Sequence, residues 1–88
     1  MPDNRSLGLD AHFLGDLTHW VEADPRVAER ILRLMEDVRR DPFKGIGKPE
    51  PLKHLGAGVW SRRITQEHRL VYEVKRDAVV FLQCRYHY

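Results

Sequence analysis

Residues 60–88, WSRRITQEHRLVYEVKRDAVVFLQCRYHY, decide the fold. Three runs at 60–65, 68–75 and 78–84, rich in β-branched and aromatic residues, are separated by the polar gaps Gln66-Glu67 and Arg76-Asp77. Gaps that short read as hairpin turns, so the runs form an antiparallel meander. Successive side chains of a strand point to opposite faces. Leu70, Tyr72 and Val74 then share one face, and Arg69, Val71 and Glu73 the other. In the first run Ser61 and Arg63 oppose Trp60 and Ile64. In the last, Val79, Phe81, Gln83, Arg85 and His87 share one parity. The simplest packing covers the Leu70/Tyr72/Val74 face with helices and gathers Arg63, Arg69 and His87 on the open face. Parity alone leaves Val71, Val79 and Phe81 among polar groups in that arrangement.

Two helices are expected before the meander. Asp10 can cap a helix over 11–23, in which Leu14, Leu17, Trp20 and Val21 follow helical spacing and Phe13 extends the stripe. Gly15 inside it costs about 1 kcal/mol relative to alanine. Asp24-Pro25 starts a second helix, the aspartate as cap and the proline at the first helical position. Val27, Ile31, Leu34 and Val38 form its apolar stripe, widened by Ala28, Leu32 and Met35. Arg26, Arg30 and Arg33 interleave with Glu29, Glu36 and Asp37, the pattern of a surface helix supported by ion pairs. Pro42 ends it near Asp41, and Arg39-Arg40 suit the negative end of its dipole. Residues 5–9 are compatible with a short edge strand, weakened by Gly8. The expected architecture is α+β: an N-terminal αα-hairpin packed on a small, mostly antiparallel twisted sheet, as one domain over 1–88.

Between helices and meander lies PFKGIGKPEPLKHLGAGV, 42–59, punctuated by prolines at 42, 49 and 51 and glycines at 45, 47, 56 and 58. Phe43, Ile46, Leu52 and Leu55 are expected to pin it to the body, leaving Lys44, Lys48, Lys53 and His54 outside. Glu50 stands between two prolines, which restrict its backbone and hold its carboxylate at little entropic cost.

At 88 residues, 42% hydrophobic and 32% charged, the chain is an ordinary globular domain of modest burial. No apolar run approaches the roughly 18 residues of a membrane span. The start, MPDNRSLGLD, has no apolar core of signal-peptide type, so a cytoplasmic protein is expected. A single cysteine, Cys84, excludes an internal disulfide, and its apolar run reads as a buried site. One cysteine and five scattered histidines lack zinc-ligand spacing. The net charge of +2 is concentrated at 39–40, 44–53, 62–63 and 69, which favours an anionic partner.

These residues contain the parts for metal-free cleavage of RNA. Glu50 can take the proton of a ribose 2′-hydroxyl, and His87 can protonate the departing 5′-oxygen. Arg69 and Arg63 can grip the phosphate. Tyr86 or Tyr88 can stack on a base or orient the phosphate, and Lys53 can bind phosphate beside Glu50. Trp60 reads as core, His68 as a turn residue, and His12, His19 and His54 as structural or exposed. From residues alone, a small basic RNA-binding module without cleavage activity stands beside the enzyme reading.

The segments GIGKPEPLK at 45–53, His54, WSRRITQEHRLVY at 60–72 and CRYHY at 84–88 keep order and spacing and resemble the YoeB/Txe toxins of the RelE-like bacterial toxin–antitoxin superfamily. The resemblance covers about residues 20–88 and is weak over 1–19. It implies a microbial-ribonuclease-like fold and a ribosome-dependent endoribonuclease that cleaves messenger RNA in the ribosomal A site, without metal or cofactor, and inhibits translation. It implies Glu50 as base, Arg69 as phosphate-stabilising arginine, His87 as acid and Tyr88 as the terminal tyrosine. Lys53, Arg63, Lys48, Lys44 and Tyr86 are then RNA- or ribosome-binding residues, with Glu67 in support. The implied partners are a YefM-like antitoxin, the 70S ribosome with its message and a second copy in a homodimer. Operator DNA is reached only through the antitoxin.

Overall fold

The three runs form adjacent strands of one sheet. A computed structural model describes residues 4–86. In chain order they form β1 (Ser6–Leu9), α1 (Ala11–Ala23), α2 (Pro25–Arg40), β2 (Glu50–Pro51), β3 (Val59–Arg63), β4 (Arg69–Val74) and β5 (Ala78–Gln83), with a 3-10 turn at Lys53–Leu55. The sheet order is β1-β5-β4-β3-β2. β1 runs parallel to β5 as the edge strand, and all other pairings are antiparallel.

A bulge resolves the parity conflict in β5. Tyr72 pairs with Phe81 and Val74 with Val79, so these side chains share the helix-covered face. The register shifts between Val71 and Tyr72, and Val71 pairs with Gln83. One extra residue flips every later side chain to the other face. Gln83 therefore lies on the open face although its parity matches Phe81, and Cys84 returns to the core, fully buried.

The helices cover Leu70 and Tyr72 as expected, and they also cover Val79 and Phe81, which parity with His87 places on the open face. Ile31, Leu34 and Val38 of α2 are fully buried there, each contributing about 1.5–3 kcal/mol. Asp10 caps α1 by accepting from the His12 amide, and Asp24 caps α2 by accepting from Arg26. On α1 the buried face is Phe13, Asp16 and Trp20, while Leu14 and Val21 are exposed. The stripe is rotated because Asp16 turns inward to accept the Cys84 amide at 3.0 Å. Leu32 of α2 also faces solvent. No helix among the described residues is long and apolar enough to cross a membrane.

The 42–59 stretch is not pinned as its hydrophobics suggested. Leu52 is buried, but Phe43, Ile46 and Leu55 are exposed. Its anchor is Arg62, which does not join a basic surface: its side chain is fully buried. Nε donates to the Tyr72 hydroxyl at 3.1 Å. One terminal nitrogen donates to Asp37 Oδ2 at 2.5 Å and the Ile46 carbonyl at 3.1 Å. The other donates to the carbonyls of Asp41 at 2.7 Å and Lys44 at 3.0 Å. All five N–H donors of the guanidinium thus have acceptors. Tyr72 in turn donates to the Pro42 carbonyl at 2.7 Å, and Asp37 accepts from the Ile46 amide at 2.9 Å. Burial pushes the Tyr72 phenol up, against the opposing pull of Arg62. Beyond this knot the chain pairs with β3: the Arg63 amide donates to the Gly47 carbonyl, and Glu50 lies opposite Ser61.

Gly45 sits inside the knot at φ +134°, where a Cβ would lie 1.9 Å from Asp37 Oδ2. Gly15 has nothing within 4 Å of its Cβ direction. Gly45→Ala is expected to destabilise by roughly 2–4 kcal/mol, whereas Gly15→Ala should stabilise by about 0.5–1 kcal/mol. Urea unfolding of both variants checks the contrast, and equal effects would contradict this description of the loop.

Candidate active site

The face of the sheet away from the helices carries an apolar patch of Leu52, Val59 and Val71, with Leu82 against it. Cross-strand pairing adds Glu50, Ser61, Arg63, Arg69, Glu73 and Gln83 to that face. Glu50 enters it on β2, delivered by the loop that Arg62 anchors. Arg69 opens β4, directly opposite Arg63.

Arg69 and Glu50 meet. The Arg69 terminal nitrogen lies 3.6 Å from Glu50 Oε1 and donates to Ser61 Oγ at 3.4 Å. The Arg69 side chain is only 17% exposed, whereas that of Glu50 is 53% exposed. A half-exposed ion pair is worth about 0–1 kcal/mol, so it contributes little to holding the sheet. The arrangement presents a carboxylate to solvent beside a guanidinium whose position is set by a buried serine.

The C-terminal segment comes to the same place. Cys84 is tied at both ends: its amide donates to Asp16, and its carbonyl accepts from Trp20 Nε1 at 2.9 Å. The Tyr86 carbonyl accepts from the Arg69 amide at 3.3 Å, and the Tyr86 amide donates to His68 Nδ1 at 2.7 Å. Arg85 lies over the Tyr86 ring at 4.8 Å. The described chain therefore ends against the first residue of β4.

Among the predicted residues, Glu50 and Arg69 are brought together, with Arg63 across the strand pair and the Tyr86 backbone alongside. Lys44 and Lys48 are exposed on the loop, Lys53 is exposed on the 3-10 turn, and Glu67 is exposed in the β3–β4 turn. The predictions for His87 and Tyr88 lie outside the described residues. Arg30 of α2 braces that turn, donating to the carbonyls of Ile64 and Arg63. Among the described residues no group of three His, Cys, Asp or Glu is arranged to hold a metal ion.

Three residues here have roles that the sequence pattern does not announce. Ser61 was only a parity mate of Arg63, yet it contacts Arg69. His68 reads as a turn residue in the sequence, yet it holds Tyr86. Asp16 went unnoticed, although a carboxylate four residues before Trp20 in an apolar stripe signals a buried acceptor.

The model of the YoeB-like toxin of bacterial type II toxin–antitoxin systems matches residues 9–88. Toxin YoeB of Escherichia coli (strain K12) is 56% identical over 73 residues, covering 83% of this chain and 87% of the relative. The YoeB dimer from Staphylococcus aureus superposes with a TM-score of 0.87 at 34% identity, covering 97% of this chain and 99% of the other. The YoeB–YefM complex from Staphylococcus aureus gives a TM-score of 0.82 at 34% identity, over 96% and 98% of the two chains.

Cys84 belongs to the core. Burial, with the Asp16 carboxylate adding to it, pushes its thiol up to about 12. A raised folded value means that stability is full below the ordinary thiol range and declines as the pH climbs toward that value. Native protein at mildly alkaline pH is expected to resist iodoacetamide, and urea-unfolded protein to react readily. Rapid labelling of the native state would contradict the buried assignment.

Proposed function

This chain belongs to the YoeB-like toxins of bacterial type II toxin–antitoxin systems, and from that membership we propose that it is a ribosome-dependent endoribonuclease cutting messenger RNA in the A site. The observation that carries the reading is the exposed Glu50 carboxylate beside the Arg69 guanidinium, at 3.6 Å on the open face. Glu50 takes the 2′-hydroxyl proton, and the 2′-oxygen attacks the adjacent phosphorus. The bond to the 5′-oxygen breaks, and His87 supplies the proton that oxygen needs to leave as a hydroxyl. The other fragment keeps a 2′,3′-cyclic phosphate. Arg69 stabilises the charge that builds on the phosphoryl oxygens. Tyr88 orients the phosphate. These side chains supply the whole reaction without a metal or cofactor.

Arg63, Lys44, Lys48 and Lys53 hold the RNA backbone and ribosomal RNA, Tyr86 offers a stacking surface, and Glu67 supports the turn beside them. A YefM-like antitoxin and a second toxin copy are the protein partners, supported by the complex and dimer of the relatives. Contact with operator DNA runs through the antitoxin. The site of action is the cytoplasm, where translating ribosomes are.

Cleavage-site mapping on a defined message, with and without ribosomes, tests this. Wild type is expected to cut only ribosome-bound message, and Glu50→Ala, Arg69→Ala and His87→Ala each to slow cutting by about 10² or more. Wild type that binds RNA without cutting would replace the enzyme by a binding module.

A further inference from the structure

His68 lies at the junction between the core and the chain end. Its ring packs edge-on against Trp20 at 4.7 Å and, tilted, against Tyr86 at 5.3 Å. Its own amide donates to Thr65 Oγ1, and its carbonyl accepts from Ile64 and Thr65, so the backbone at this position is fixed. Nδ1 accepts from the Tyr86 amide at 2.7 Å. A ring nitrogen that accepts carries no proton, so this contact requires the neutral tautomer with its proton on Nε2.

Tyr86 needs that partner. Its φ is +65°, a conformation that residues with a side chain seldom adopt and keep only when their surroundings impose it. What imposes it is the Nδ1 contact at its amide and the Arg69 amide at its carbonyl. Protonated His68 would turn Nδ1 into a donor facing another donor. The contact would then be lost and one of the two backbone anchors with it.

We propose that neutral His68 is a positioning residue, holding the Tyr86 backbone against Arg69, and that protonation of His68 releases this clamp and lowers activity. The part concerning activity rests on the ribonuclease reading, because the acid assigned there follows Tyr86 in the chain. The clamp falls away on acidification and is whole when the imidazole is neutral. The titratable and charged groups around it are Asp16 and His19 on α1, Arg30 on α2, Glu67 and Arg69 beside it in the chain, and Arg85 and Tyr86 on the C-terminal segment. His19 packs on the same Trp20 and is the imidazole most able to mimic the effect.

The test follows the Tyr86 amide in proton–nitrogen correlation spectra from about pH 8 to pH 5, where histidines titrate, together with ribosome-dependent cleavage over the same range. Wild type is expected to show the Tyr86 amide titrating with the His68 ring, and cleavage falling with it. His68→Asn offers a carboxamide oxygen where Nδ1 stood and does not titrate. It should keep the Tyr86 amide in its high-pH position throughout and flatten the acidic fall in cleavage. His68→Ala should place that amide in its released position at every pH and slow cleavage on the order of 10²-fold, as misplaced catalytic groups do. His68→Asn should recover most of that loss. His19→Asn should leave the wild-type titration in place. A Tyr86 amide indifferent both to pH and to His68→Ala would overturn the clamp, as would a titration abolished by His19→Asn. If wild type never cuts while the amide titrates as described, the ribonuclease reading fails and the clamp stands.

Discussion

The guanidinium of Arg62 is the constraint on which the site depends. A charge with no exposed surface is tolerated in a core only when it is paired and every donor is met. Arg62 meets that condition with Asp37 from α2, Tyr72 from β4 and the carbonyls of Asp41, Lys44 and Ile46. Three of those five acceptors are backbone of one loop, so satisfying the charge and folding the loop are one event. Losing a partner of such a charge costs about 3–5 kcal/mol, and that penalty makes the loop's path specific. The path ends at Glu50, on the edge of the sheet facing Ser61 and Arg69.

The two faces of the sheet therefore divide the buried core from the candidate site. One face buries aromatic and aliphatic side chains under both helices, with Arg62 as its polar centre. The other keeps only a small apolar patch and sets a carboxylate beside a guanidinium in reach of solvent. Elements from the covered side reach around to position the open one. The loop after α2 brings Glu50, and Asp16 and Trp20 of α1 fasten Cys84, so that Tyr86 comes to Arg69.

Much of this was legible in the residues. The meander, both helices with their aspartate caps and the αα-hairpin over the Leu70/Tyr72/Val74 face follow from period and turn chemistry. Glu50, Arg63 and Arg69 read as parts for cleavage of RNA, and the family resemblance singles out Arg69 among the arginines. What stayed hidden has physical causes. The β5 bulge inserts one residue with no turn signal, and parity counted back through it from His87 assigns Val79 and Phe81 to the wrong face. Arg62 shares parity with Trp60 and Ile64, so its inward direction was readable. In the sequence it groups with Arg63, because buried arginines are rare and adjacent basic residues resemble a surface. Exposed Leu14, Val21 and Leu32 satisfy helical spacing as well as buried residues do, since the period fixes a stripe but not its width. His68 next to a turn carries no sequence mark of a partner 18 positions away.

Whether Arg62 acts on the chemistry through Glu50 is measurable by a double-mutant cycle on the rate of ribosome-dependent cleavage, with circular dichroism showing every variant folded. Arg62→Lys keeps the charge beside Asp37 but supplies too few donors to span the loop carbonyls. If the loop serves to place Glu50, Arg62→Lys slows wild-type cleavage by about tenfold or more and adds almost nothing in a Glu50→Gln background, because a misplaced base and a missing base are the same loss. Slowing by the same factor in both backgrounds, or none in either, would contradict the coupling.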